Sequence, residues 1–270
     1  MRLLHLRRAW RIAGISPLAE WHQPVRLTFT AARTAVQMTL VVCLWRALYD
    51  GTPSRAGLES DQAVTYAVLA LLISQRAGLD RYLRRDTLAQ HVQEGTVAYW
   101  FLRPLAARRY HLLRGLGDQA YCTCWLLVGL LAGLGLDVVQ PPASAAAGAF
   151  AACSFLLGQF LLYQFTLAVD LVCFWTMVNH NALLSYQFLQ NLLSGALAPL
   201  WFFPQWFQTM TSWLPFQGVI NIPLSLYVGR IPSGEAWAHL AVQAAWCVLL
   251  LLATRGLWLL ADRKIAVQGG

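Results

Sequence analysis

Apolar residues in this chain run in long blocks, broken by short polar stretches. Blocks at Leu27–Leu48, Ala63–Leu79, Leu112–Leu136, Ala145–Trp175, Leu183–Leu200 and Trp237–Leu260 are each close to the ~20 residues that a helix needs to cross a bilayer, so the pattern predicts six spans. The first block is preceded by a different pattern. At about 100° per residue, Leu3, Leu6, Ala9, Trp10 and Ala13 fall on one arc and Arg7, Arg8 and Arg11 on the opposite one. That predicts an interfacial amphipathic helix within residues 1–24, and the same arginines interrupt the apolar core a signal peptide would need. Two further stretches fit no span. Residues 80–111 are too polar for hydrocarbon, with a helical stretch around Arg85–Glu94 that ends near Gly95. Around residues 201–236, Pro199, Pro204 and Pro215 break regular helix and Trp201, Phe202, Phe203, Trp206, Phe207 and Trp213 crowd together, as in an interfacial aromatic belt or a re-entrant hairpin.

Composition supports the same class. The 270 residues are 58% hydrophobic and 12% charged, about half the charge of an average globular chain, which excludes a soluble protein and leaves no room for a separate soluble domain. The expectation is one all-α transmembrane domain over residues 1–270. The net charge of +8 is a matter of placement: seventeen of the twenty basic residues fall on one side of the six-span arrangement, and only Arg46, Arg55 and Arg230 on the other. Positive loops stay in the cytosol, so both termini are expected there, without any role for nucleic acid.

Candidate chemistry is sparse. The only lysine, Lys264, follows no glycine-rich turn, so the chain has no phosphate-binding P-loop. The six cysteines lie in apolar stretches with no C-x-x-C spacing and read as small hydrophobes; the six histidines are scattered, and no metal site is expected. No G-x-S-x-G elbow is present, and the bilayer lacks the paired acids of general acid–base chemistry, so no catalytic residue is expected. The unusual polar groups are two stripes. Gln187, Gln190, Asn191 and Ser194 share one face of the fifth block, and Gln159, Tyr163, Thr166 and Asp170 share one face of the fourth. Such groups do not face lipid cheaply, and either hydrogen-bond between helices or line a wet path. Gly129-x-x-x-Gly133 and the set Ala145, Gly148, Ala149 and Ala152 read as close helix packing.

The stretch Glu94-Gly95-Thr96-Val97-Ala98-Tyr99-Trp100-Phe101-Leu102-Arg103-Pro104-Leu105, followed by Tyr110-His111-Leu112-Leu113-Arg114-Gly115-Leu116-Gly117, resembles the cytosolic motif of type 2 ATP-binding-cassette exporter permeases, in their short, six-span bacterial branch. Phe174-Trp175-Thr176, Leu193-Ser194-Gly195-Ala196-Leu197-Ala198-Pro199-Leu200, Phe203-Pro204, Leu214-Pro215-Phe216 and Val267-Gln268-Gly269-Gly270 extend the resemblance over nearly the whole chain from Arg33. It implies an interfacial helix, a cytosolic coupling helix and a re-entrant segment after the fifth span. It also implies a multi-pass permease in the bacterial inner membrane that exports a hydrophobic or amphipathic drug, natural product or lipid, with drug resistance as one outcome. Partners implied are separate cytosolic ATPase subunits, which carry the ATP and Mg while this chain holds no cofactor, and a second permease, the same chain or a homologue. Asp86, Gln90, Glu94, Gly95, Arg103 and Pro104 would then serve ATPase coupling. Two permeases meeting along their second and fifth spans would put Gln187, Gln190, Asn191 and Ser194 on the substrate path, opposite Thr65, Tyr66 and Ser74, with Leu193, Leu197, Trp201 and Phe202 as an outer gate. The alternative from another class is a non-transporting membrane scaffold or sensor that recruits cytosolic partners through the same loop.

Overall fold

A computed structural model describes residues 12–14, 18, 22–51, 54–55, 57–83, 91–92, 94, 107–176 and 180–268. Its main helices are α1 (Pro24–Leu48), α2 (Ser60–Leu83), α3 (Ala107–Gly135), α4 (Ala145–Leu171), the single turn α5 (Cys173–Thr176), α6 (His180–Leu193), and then, past a segment of short helices, α9 (Ala236–Gln268). That segment holds two 3-10 turns, Leu200–Phe202 and Pro215–Gly218, with α7 (Gln205–Ser212) and α8 (Asn221–Tyr227). The only strands among the described residues form a two-rung antiparallel hairpin, β1 (Ser54–Arg55) with β2 (Leu58–Glu59), ahead of α2. The described residues are thus all-α apart from this clip.

Each predicted block but the fifth is helical over most of its length. Three helical stretches among the described residues are long and apolar enough by themselves to cross a membrane: Pro24–Leu48, Ala145–Thr176 and Ala236–Lys264. The α2 and α3 helices have the length, 24 and 29 residues, but include charged residues such as Arg81 in α2 and Arg108, Arg109 and Asp118 in α3. The expectation for Leu183–Leu200 needs correction. Helix α6 covers 14 residues, about 21 Å at 1.5 Å per residue, and stops at Leu193. Gly195 takes φ +82, a left-handed conformation that ends the helix, and Pro199 lies just beyond it. The basic arc of the expected N-terminal helix lies outside the described residues, although residues 12–14 and 18 are helical.

The core forms around α2. Every residue from Ala63 to Ala70 is buried, with Ala63, Tyr66 and Val68 fully so, because α1, α3 and α8 all pack against this one helix. Polar contacts fix the pairing of α1 with α2: Thr34 Oγ1 donates to Gln75 Oε1 at 2.7 Å, and Gln75 Nε2 donates to Gln37 Oε1. Away from α2, α1 exposes Val25, Phe29, Val36, Leu40, Leu44 and Leu48, a face suited to hydrocarbon. Gly129 lets α3 approach α2, since a Cβ there would stand 2.6 Å from Leu72 Cδ2, whereas Gly133 admits Val139 of the following loop.

The second packing unit joins α4, α9 and the short-helix segment. Its small-residue stripe is Ala147, Ala151, Ser154 and Gly158, all buried, while Ala145, Ala149 and Ala152 are exposed. The alanine-rich run allowed either phase, and the stripe that packs is the one carrying Ser154. Ser154 Oγ donates to Gln243 Oε1 of α9 at 2.8 Å, and Gln243 Nε2 donates to the Gly218 carbonyl at 2.8 Å. Gly158 lies against that same carbonyl, which a Cβ would meet at 2.4 Å. One buried amide therefore ties α4, α9 and the Pro215–Gly218 turn together where no water competes.

Candidate functional site

Where α6 stops short, a cavity of about 260 Å³ opens between α1, α2 and the turn after α6. Val41, Leu44 and Trp45 of α1, Ala67, Ala70 and Leu71 of α2, and Ala196, Leu197, Ala198 and Pro199 of the turn supply its apolar wall. Tyr66, Ser74 and Asn191 are its polar points. The volume is just under the ~300–1,000 Å³ typical of small-molecule sites, and an apolar wall with a few fixed polar groups is the usual composition of one.

Tyr66 organises the far end. Its hydroxyl donates to Asn221 Oδ1 at 3.2 Å and lies 3.4 Å from the Gly195 carbonyl. Gly195 is required twice, for its positive φ and because a Cβ would stand 2.8 Å from the Tyr66 hydroxyl. The polar chain continues: Asn221 Nδ2 donates to Gln217 Oε1 at 3.2 Å, Gln217 Nε2 to Thr211 Oγ1 at 2.8 Å, and Thr211 Oγ1 to the Phe207 carbonyl at 2.9 Å. The Asn221 backbone N–H also donates to the Ser194 carbonyl at 3.0 Å, bolting α8 to the end of α6. The sequence reading missed Thr211, Gln217 and Asn221. They are scattered through a proline-broken segment with no regular period, so no face could be drawn through them.

Two further aromatic rings pack on residues that line the cavity. The Trp201 ring meets Tyr66 edge-on with centroids 4.7 Å apart, and Phe202 packs on Trp45 at 5.5 Å. The Arg230 guanidinium stands 4.6 Å from the Trp201 ring centroid, and burial lowers its pKa while Tyr49 acts in the opposite direction. A partly desolvated cation over indole is a stronger contact than an exposed one.

The structure divides the sequence-predicted path residues. Tyr66, Ser74 and Asn191 line the cavity, whereas Thr65 points elsewhere and accepts a hydrogen bond from the Gln140 backbone N–H at 2.9 Å. Gln190 and Ser194 are buried inside the subunit, Gln187 is half-buried, and the exposed face of α6 carries Leu184, Phe188 and Leu189. Of the gate residues, Leu197 lines the cavity, Trp201 and Phe202 pack on its lining residues Tyr66 and Trp45 without lining it, and Leu193 packs with Leu200 and Phe207. The second stripe faces inward at Gln159 and Asp170. Neither amide atom of Gln159, nor Gln164 Nε2, nor Ser194 Oγ has a hydrogen-bond partner among the described residues.

At the arginine-rich end, Asp86, Gln90, Gly95, Arg103 and Pro104 lie outside the described residues; Glu94 is exposed at a turn. Close to it, Val92 packs against a buried cluster of Leu171, Cys173, Phe174, Trp258 and Ala261. That ties the polar loop to the ends of α4 and α9. Arg114 and Asp118, one helical turn apart on α3, are both buried, a charged pair that a reading by apolar blocks passed over. All six cysteines are free, and no three His, Cys, Asp or Glu side chains among the described residues gather as a metal site.

No curated protein and no solved structure matches this chain. The family described as ABC-2 family transporter protein matches residues 35–269, which includes every residue that lines the cavity, and the chain belongs to that family.

Proposed function

We propose that this chain is the permease subunit of an ATP-driven exporter that carries a hydrophobic or amphipathic molecule through the cavity between α1, α2 and α6. The family supplies the membrane component of a transporter rather than a catalytic one. The observation that carries the proposal is the cavity itself, apolar with Tyr66, Ser74 and Asn191 as orienting groups. Weakly held cargo needs such a composition, since a site rich in charge would bind without releasing. The Gln159 amide and Gln164 Nε2, buried without a hydrogen-bond partner among the described residues, favour water or cargo beside α4 over purely structural bonding.

In this reading six helices cross the bacterial inner membrane, α6 together with the 200–227 segment forming the fifth passage as a half-helix and an outer re-entrant hairpin. A second permease, the same chain or a homologue, completes the transporter. A separate ATPase, holding ATP and Mg, grips the segment 80–111 and moves it. Val92 then passes that movement to α4 and α9 through the cluster at their ends. Glu94→Ala combined with Arg103→Ala is expected to reduce copurification of the ATPase and substrate-stimulated hydrolysis by about tenfold, an interaction loss near 1.4 kcal/mol. Membrane insertion stays intact. Unchanged copurification and transport would refute the coupling assignment.

Both termini are cytosolic in this orientation. Cysteines introduced at Gly57 and Ser233 of an otherwise cysteine-free variant should react with a membrane-impermeant maleimide in intact cells, whereas labelling only after permeabilisation reverses the topology.

A further inference from the structure

Away from the transport cavity, a larger groove of about 740 Å³ runs along α3. Gly117, Ala120, Tyr121, Cys124, Trp125 and Val128 form its floor, at spacings that keep them on one helical face. Ala13, Gly14 and Leu18 close one side and Leu27 of α1 the other. The N-terminal segment touches α3 directly, since a Cβ on Gly117 would fall 1.8 Å from the Ala13 carbonyl oxygen. Among the described residues no charged side chain lines the groove, which suits an apolar occupant.

Two features choose that occupant. From Gly117 to Val128 the groove extends about 16 Å along the helix axis, close to half of the ~30 Å hydrocarbon core, which is the depth of one leaflet. Its lower end points toward positive charge. Arg109 is exposed further down α3 and Arg26 stands beside Leu27 in the first turn of α1, whereas Arg114 is buried one turn from Asp118. An apolar slot one leaflet deep with arginines at its mouth matches a fatty-acyl chain bearing a negatively charged head. We propose that this groove holds one acyl chain of an anionic phospholipid, with the head group between Arg26 and Arg109. The site stands on its own and does not depend on the transport reading.

Trp125 in the groove reports occupancy. The full chain is reconstituted in phosphatidylcholine vesicles containing phosphatidylglycerol brominated on its acyl chain, and the Trp125 component of the fluorescence is taken as the difference from Trp125→Phe. Bromine quenches indole only in contact. Half-maximal quenching of that component is expected at a mole fraction about fivefold lower for brominated phosphatidylglycerol than for brominated phosphatidylcholine, the preference that one arginine near a head group gives. Arg26→Gln with Arg109→Gln should erase the head-group preference while leaving the quenching. Ala120→Phe, which fills the floor, should remove the low-fraction phase. The arginine variant alters half-exposed and exposed positions only, so it keeps the test open if the phenylalanine variant fails to fold. Equal quenching by both lipids in the wild type would reduce the groove to bulk annular lipid. No quenching of Trp125 by either lipid would mean that protein, such as a second copy of the chain, covers it. Either result overturns the proposal.

Discussion

Gly158→Leu is expected to lower stability by about 3 kcal/mol, at the upper end of what overpacking costs in a well-packed interior. The reason is backbone, not side chain. Even a Cβ at Gly158 would stand 2.4 Å from the Gly218 carbonyl oxygen and 3.1 Å from Val219 Cα, and neither atom is the tip of a flexible group. Pushing that carbonyl away also breaks its hydrogen bond from Gln243 Nε2, which leaves a buried amide unsatisfied at a cost of about 1–3 kcal/mol. The Pro215–Gly218 turn then separates from α4 and α9. Thermal unfolding of the detergent-purified protein measures the loss, with Ala152→Leu as the control on the exposed face of the same helix. Equal melting temperatures for the two variants would show that the turn is not held at Gly158.

The largest expected effect on activity comes from filling the cavity. Ala67→Phe adds a ring to the α2 wall facing Asn191 and the Leu197 turn, in a space of about 260 Å³. Substrate-stimulated ATPase in the assembled transporter should fall by about tenfold or more, equivalent to at least about 1.4 kcal/mol of lost substrate interaction, while basal ATPase persists. Asn191→Ala keeps the cavity open but removes a polar point, so a smaller loss with normal assembly is expected. Loss of assembly alone, with transport by the surviving complexes unchanged, would assign these residues to helix packing. Ala70→Phe, on the same wall, serves as a second filling variant if Ala67→Phe does not accumulate.

The hydrophobic pattern alone determined the class and the positions of the helices. Apolar blocks of about 20 residues, too long for barrel strands, satisfy their backbone in lipid as helices, and each block begins a helix within a few residues of its predicted start. Local motifs carried the family resemblance as well, because Leu193-Ser194-Gly195 through Pro199 is read in order along the chain. What the pattern could not decide was facing. An alanine-rich helix such as α4 has no strong polar face, so whether Ala145, Gly148, Ala149 and Ala152 or Ala147, Ala151, Ser154 and Gly158 packs was settled by Gln243, eighty-nine residues beyond Ser154. The end of α6 was likewise hidden, since Ser194 to Leu200 is as apolar as a helix interior and only the left-handed Gly195 under the Tyr66 hydroxyl stops it. Tertiary structure alone split the polar residues by role: Thr65 to the Gln140 loop, Tyr66 and Asn191 to the cavity, Gln190 and Ser194 to the interior. Adjacent residues on a helix point about 100° apart, and which neighbour each one meets depends on segments far away in sequence, a relation that no local period contains.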